Sequence, residues 1–185
     1  MAPMPSYVYA MLLTGWAVWL APFLLRMRNF RAPATIDRRA RWGLLIEVVA
    51  FSLLWQTRFW ERSPHVWQTV LSALCFAVAG CFSWAAVRTL GRHLRFDAGL
   101  DADHQLVRTG PYRIVRHPIY TSLLFLMFGL GFVIAPFWLF CVALAIFFVG
   151  TTIRIRVEDA LLAERFGEQF EAYRREVPAL IPFLK

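Results

Sequence analysis

Lysine is nearly missing from this chain: Lys185 is the only one, so the 20 basic residues and the net charge of +8 are almost wholly arginine. Acids are sparse as well, 12 in 185 residues. The arginines stand in separate blocks between apolar runs, with no nucleic-acid fold signature among them. Nucleic acid is therefore not an expected partner. Cysteine is scarce, and Cys75, Cys81 and Cys141 all lie inside apolar runs with no Cys-x-x-Cys spacing. That pattern implies small core side chains, with no disulfide framework and no metal site. Also lacking are internal repeats, low-complexity tracts, and a basic N-terminal region followed by a small-residue cleavage site, so the first apolar run is expected to be retained.

What is present is apolar sequence, 59% hydrophobic residues with a mean hydropathy of +0.52. This excess is high for a soluble globule and points to an all-α integral membrane protein. Residues 7–25 are long enough to cross ~30 Å of hydrocarbon, with Pro22 near the exit. Residues 26–41 then set six arginines against Asp37 alone, which marks a cytoplasmic loop. A second, rather short span is expected over 42–57, carrying Glu47 a few residues inside; no motif claims this acid, and its depth allows snorkelling or pairing with Arg41. A tight connection leads to a third span over 66–87, rich in small residues that let helices approach closely. The apolar run 118–149 is too long for one crossing and is interrupted at Ala135-Pro136, predicting a helical hairpin that turns near Pro136. Its second arm continues past Gly150 into Arg154, Arg156, Glu158 and Asp159. Beyond it, Leu161, Leu162, Phe166, Phe170, Tyr173 and Val177 recur at helical spacing, predicting a cytoplasmic amphipathic helix broken at Gly167 and stopped by Pro178. The count is five spans, N-terminus outside and every arginine-rich block inside. Residues 1–87 hold three transmembrane helices, and residues 88–185 hold a polar insert, the hairpin and the last helix.

The densest polar stretch, residues 104–120, lies directly before the hairpin. It contains Gly110-Pro111-Tyr112 and Arg116-His117-Pro118-Ile119-Tyr120, and the hairpin returns Arg154-x-x-x-Glu158-Asp159 to the same side of the membrane. Followed by Phe166-Gly-x-x-Phe-x-x-Tyr173, Val177-Pro and Ile181-Pro, this ordered set resembles the isoprenylcysteine carboxyl methyltransferase family, whose wider group includes phospholipid methyltransferases. The resemblance covers residues 88–185, and residues 1–87 match in span character only.

That resemblance implies an S-adenosylmethionine-dependent methyltransferase whose cofactor pocket faces the cytoplasm. Its partners would be membrane lipids and a lipophilic or lipidated acceptor that enters from the bilayer. Carried over by position, the cofactor contacts are His104, Gln105, Leu106, Val107, Tyr112, His117, Pro118, Ile119, Tyr120 and Glu158, with Arg154 as the catalytic, acceptor-side residue. The family can place an amide seven residues before His104; this chain has Asp97, and that contact is not carried over. The residues themselves suit such a ligand: Glu158 for the ammonium or ribose hydroxyls, Arg116 and His117 for the carboxylate, and Tyr112 or Tyr120 beside the adenine or sulfonium. Arg154 and Glu158 share a helix face and can bind two ligands or each other. An ionised carboxylate acceptor needs no base, whereas an amine or thiol would call on His117 or Glu158. Two other readings share parts of the pattern: an NADPH-dependent membrane reductase of the sterol reductase type, and a non-catalytic lipid-binding membrane subunit.

Overall fold

The computed structural model describes residues 3–27, 37–91, 94 and 105–182. Among them every regular element is helical: α1 (Ser6–Met27), α2 (Arg39–Leu54), α3 (Val66–Leu90), α4 (Pro118–Ile134), α5 (Phe137–Phe166) and α6 (Glu168–Glu176), with single 3-10 turns at Phe59–Glu61 and Gly110–Arg113. Three of these, α1, α3 and α5, are long and apolar enough to cross a membrane. Their most apolar windows are only 28%, 39% and 33% buried, so most of that apolar surface faces outward, as a lipid-solvated helix requires. At ~1.5 Å per residue, α2 with 16 residues and α4 with 17 reach roughly 25 Å. The chain is an all-α membrane protein.

The helices alternate in direction. At one end Met4 donates its amide to the Trp60 carbonyl, and Thr57 and Arg62 donate to the Ile134 and Ala135 carbonyls, which caps the last turn of α4. At the other end Arg26 reaches the Gly91 carbonyl, and the starts of α2 and α4 meet the polar half of α5. Arg26, Arg116 and Arg154 therefore gather on one side. The main core joins all five long helices around Leu126, Met127, Leu130, Ile134 and Phe147.

Local rules explain most boundaries. Pro22 does not end α1, which runs on to Met27. A proline inside a helix orphans the carbonyl four residues back. Here that carbonyl belongs to Val18 and accepts from the Trp84 indole N–H of α3 at 2.9 Å, so a neighbouring helix replaces the lost bond. α2 starts before the expected span because Asp37 Oδ1 accepts the Arg39 amide. The hairpin breaks at Ala135-Pro136, since a residue preceding proline is driven to extended geometry, and Ala135 has ψ 146. Gly167, at φ +50, separates α5 from α6.

α2 packs chiefly on α5, and α3 on α4. Glycines permit both approaches. Phe76 of α3 fills the space a Cβ would take at both Gly15 and Gly129, while Gly43 and Gly150 stand backbone to backbone, so that a Cβ at Gly150 would lie 2.7 Å from the Gly43 oxygen.

Candidate active site

The site grows from the first turn of α4. Pro118 occupies its first position, where the missing N–H costs nothing. The two preceding amides are taken by the C-terminal segment: Arg116 donates to the Pro178 carbonyl at 2.8 Å and His117 to the Ala179 carbonyl at 3.0 Å. Thr121 Oγ1 adds a bond to the Leu180 carbonyl, 2.7 Å. Residues 177–180 thus lie along the entry to α4 and fix its side chains.

Those side chains meet the polar stretch of α5. Asp159 accepts from Arg116 Nη2 at 2.9 Å and faces His117 Nε2 at 2.9 Å. Glu158 faces His117 Nδ1 at 3.3 Å and accepts from the Tyr120 hydroxyl. The His117 and Tyr120 rings stack, 5.6 Å apart and 23° from parallel. Burial alone would lower the His117 pKa, but its hydrogen bonds to Asp159 and Glu158 and their charges outweigh it, so the imidazole titrates above 6.5. The two acids on either side of the ring favour its protonated form.

Tyr112 lies buried in the Gly110–Arg113 turn, and its carbonyl accepts the Tyr173 hydroxyl of α6 at 2.6 Å. Burial, reinforced by the charge of Glu158, pushes the Tyr112 phenol well above 10. Burial likewise pushes Tyr173 up to about 12. Both stay neutral and act through their rings and hydroxyls.

Arg154 turns the other way. Its Nη1 lies 2.7 Å from Glu47 Oε2, and its guanidinium lies 4.6 Å from the centre of the Tyr120 ring. Glu47 also accepts from Thr151 Oγ1 at 2.8 Å. A continuous line of polar contacts therefore runs from Arg116 through Asp159, His117, Glu158, Tyr120 and Arg154 to Glu47, joining α4, α5 and α2.

Of the expected cofactor contacts, His117, Tyr120 and Glu158 are part of this line, and Tyr112 and Pro118 are buried beside it. Leu106 packs on the Phe170, Tyr173 and Val177 cluster; Gln105 is exposed and Val107 partly buried beside it in sequence. Ile119 points away, into the cluster of Phe23, Val87 and Leu94. His104 lies outside the described residues, as do Asp97 and most of the first arginine block. Arg116 is occupied by Asp159 and the Val177 and Arg174 carbonyls, which makes it a bracket for the C-terminal segment.

Sequence reasoning passed over Asp159 and Thr151 and left Glu47 outside the site. The signal for Glu47 was its place inside a span; its partner across the helix interface, Arg154 and not Arg41, required the packing. At the Arg116–Asp159 end of the line, these two residues with Arg156 and Arg174 line a cavity of about 320 Å³.

Residues 67–169 match the family model described as phospholipid methyltransferase. Three curated proteins are similar to the chain. The cobalt-zinc-cadmium resistance protein CzcN of Cupriavidus metallidurans is 30% identical over 153 residues, covering 81% of this chain and 66% of that protein. The protein-S-isoprenylcysteine O-methyltransferase of Schizosaccharomyces pombe is 34% identical over 112 residues, covering 51% and 46%. The nickel-cobalt-cadmium resistance protein NccN of Alcaligenes xylosoxydans xylosoxydans is 28% identical over 162 residues, covering 83% and 71%. The chain thus spans between about half and 71% of the length of these relatives.

Proposed function

The chain belongs to the phospholipid methyltransferase family, a group of methyltransferases, and from that premise we propose that it transfers a methyl group from S-adenosylmethionine to a lipophilic acceptor at the basic end of the helices. The observation that carries this reading is the state of Glu158. Both its oxygens have partners in Tyr120 and His117, yet its side chain is 30% exposed. A carboxylate can accept about four hydrogen bonds, so Glu158 keeps capacity for an ammonium or a pair of ribose hydroxyls. The stacked His117 and Tyr120 rings and the buried Tyr112 supply aromatic faces beside it. These residues fit the methyl donor, and His104, Gln105, Leu106 and Val107 are proposed to complete its contacts from the preceding segment.

When bound, S-adenosylmethionine supplies an electrophilic methyl on a sulfonium. The protein's part is to orient and to exclude water. Glu158 holds the donor, Tyr120 and His117 fix the Glu158 carboxylate, and Arg154 faces the acceptor. Alignment of this kind is able to contribute ~7–11 kcal/mol in favourable cases, without a general base where the acceptor is already ionised. We place the site on the cytoplasmic face, with five spans and the N-terminus outside, because the arginine-rich ends collect there. The acceptor then enters laterally from the bilayer, whose lipids surround the outward apolar faces.

The test is label transfer. Membranes containing the protein, incubated with methyl-labelled S-adenosylmethionine, should yield a labelled species in the lipid phase that is missing with Glu158→Ala. A labelled product of equal yield in both would refute the assignment of Glu158.

A further inference from the structure

The pairing of Glu47 with Arg154 bears on which acceptors the site can take, and this inference rests on the methyltransferase reading above. Gly43 and Glu47 lie one turn apart on α2; Gly150 and Arg154 lie one turn apart on α5. A Cβ on Gly43 would fall 2.5 Å from Arg154 Cγ and 2.6 Å from the Gly150 oxygen. The two glycines therefore let the helices approach until the acid on one meets the base on the other. Glu47 is 3% exposed, with one oxygen 2.8 Å from Thr151 Oγ1 and the other 2.7 Å from Arg154 Nη1. A carboxylate so held has nowhere to swing except apolar surroundings, where an unpaired charge is strongly disfavoured.

Arg154 therefore comes to the acceptor already neutralised, with one face of its guanidinium against the Tyr120 ring. An acceptor carboxylate would bring excess negative charge to a guanidinium whose own charge Glu47 already balances at 2.7 Å. In a site with little water, that excess charge is costly. A neutral oxygen meets no such penalty. Arginine carries five N–H donors, and Arg154 Nε is buried with no partner of its own.

We propose that Glu47 is a specificity-determining residue: as the built-in counter-ion of Arg154 it turns away carboxylate acceptors and selects a lipophilic acceptor with an uncharged head group. Methylation of such a head group forms a carbon–heteroatom bond as the S–CH3 bond breaks. The thioether leaves with the bonding pair, and the heteroatom's proton passes to bulk water as the product leaves the site.

A matched pair of ligands tests this. The full chain in lipid nanodiscs is titrated with an S-farnesyl N-acetylcysteine acid and with its primary carboxamide, at pH 7.5 and saturating S-adenosylhomocysteine. Wild type should bind the carboxamide at least ten-fold more tightly than the acid, and Glu47→Gln should reverse the order. A Glu47→Gln protein that still holds S-adenosylhomocysteine is folded, so an unchanged ratio in it would overturn the proposal. If that variant does not fold, the wild-type ratio decides by itself. Equal affinities, tighter binding of the acid, or binding of neither ligand to wild type that holds S-adenosylhomocysteine each overturn it. Wild type that does not hold S-adenosylhomocysteine refutes the methyltransferase reading itself and takes this inference down with it.

Discussion

His117 carries a coupling between charge and stability that can be read from outside. Asp159 and Glu158 raise its pKa above 6.5 in the folded protein. The stability it contributes is therefore complete below about pH 6.5 and fades as the pH climbs through the raised value. Thermal unfolding followed by tryptophan fluorescence should show a midpoint that falls from pH 6 upward in wild type and a flatter profile in His117→Asn. Asp159 holds both Arg116 and His117, at 2.9 Å each. Asp159→Ala leaves the largely buried Arg116 without its acid and His117 with Glu158 alone, and should cost ~1–3 kcal/mol in the same assay. The motif exposed His117 and Glu158 in the sequence, because close spacing before a proline and across a helix turn is visible in one dimension. Asp159 was present in the same string but looked like one more charge of an exiting helix. Its role became visible only when the C-terminal carbonyls set the direction of Arg116.

The elements are held by contacts that sequence periodicity does not contain. The α2–α5 approach depends on Gly43 and Gly150, where an added Cβ meets backbone, which cannot move aside as a flexible side chain can. Gly150→Ala should therefore lower stability by ~1–3 kcal/mol and weaken acceptor use together, measured by unfolding midpoint and by label transfer. The segment 177–180 is a second such contact. Its carbonyls accept from the Arg116 and His117 amides and from Thr121 Oγ1. Ending the chain at Glu176 should abolish S-adenosylhomocysteine binding while α1 to α3 stay inserted, as read by titration and by membrane extraction. Helix existence was legible from hydropathy, and the hairpin break from Pro136. The span through Pro22 was legible too, but the donor that replaces its lost bond, Trp84, was not, since it lies on another helix.

At the scale of the molecule, the organising fact is the separation of charge. The alternating helices bring Arg26, Arg116, Arg154 and the acids that pair with the latter two to one end, and the other end carries caps between short connections. That arrangement predicts a cytoplasmic C-terminus: a fluorescent-protein fusion after residue 185 should fluoresce in intact bacteria, whereas a periplasmic phosphatase fusion at the same point should be inactive. Composition made the membrane class and the overall helix order readable, because lipid demands apolar length and loops record the positive side. The link from Arg154 to Glu47 was not readable, because residues 107 positions apart are joined only by packing. The most direct measurement of the central claim is calorimetric titration of the nanodisc-embedded chain with S-adenosylhomocysteine, alongside NADPH, for wild type and Glu158→Ala. Saturable S-adenosylhomocysteine binding to wild type, lost in Glu158→Ala and not shared by NADPH, is the predicted result; NADPH binding in its place, or wild-type affinity in the Glu158 variant, would contradict the account.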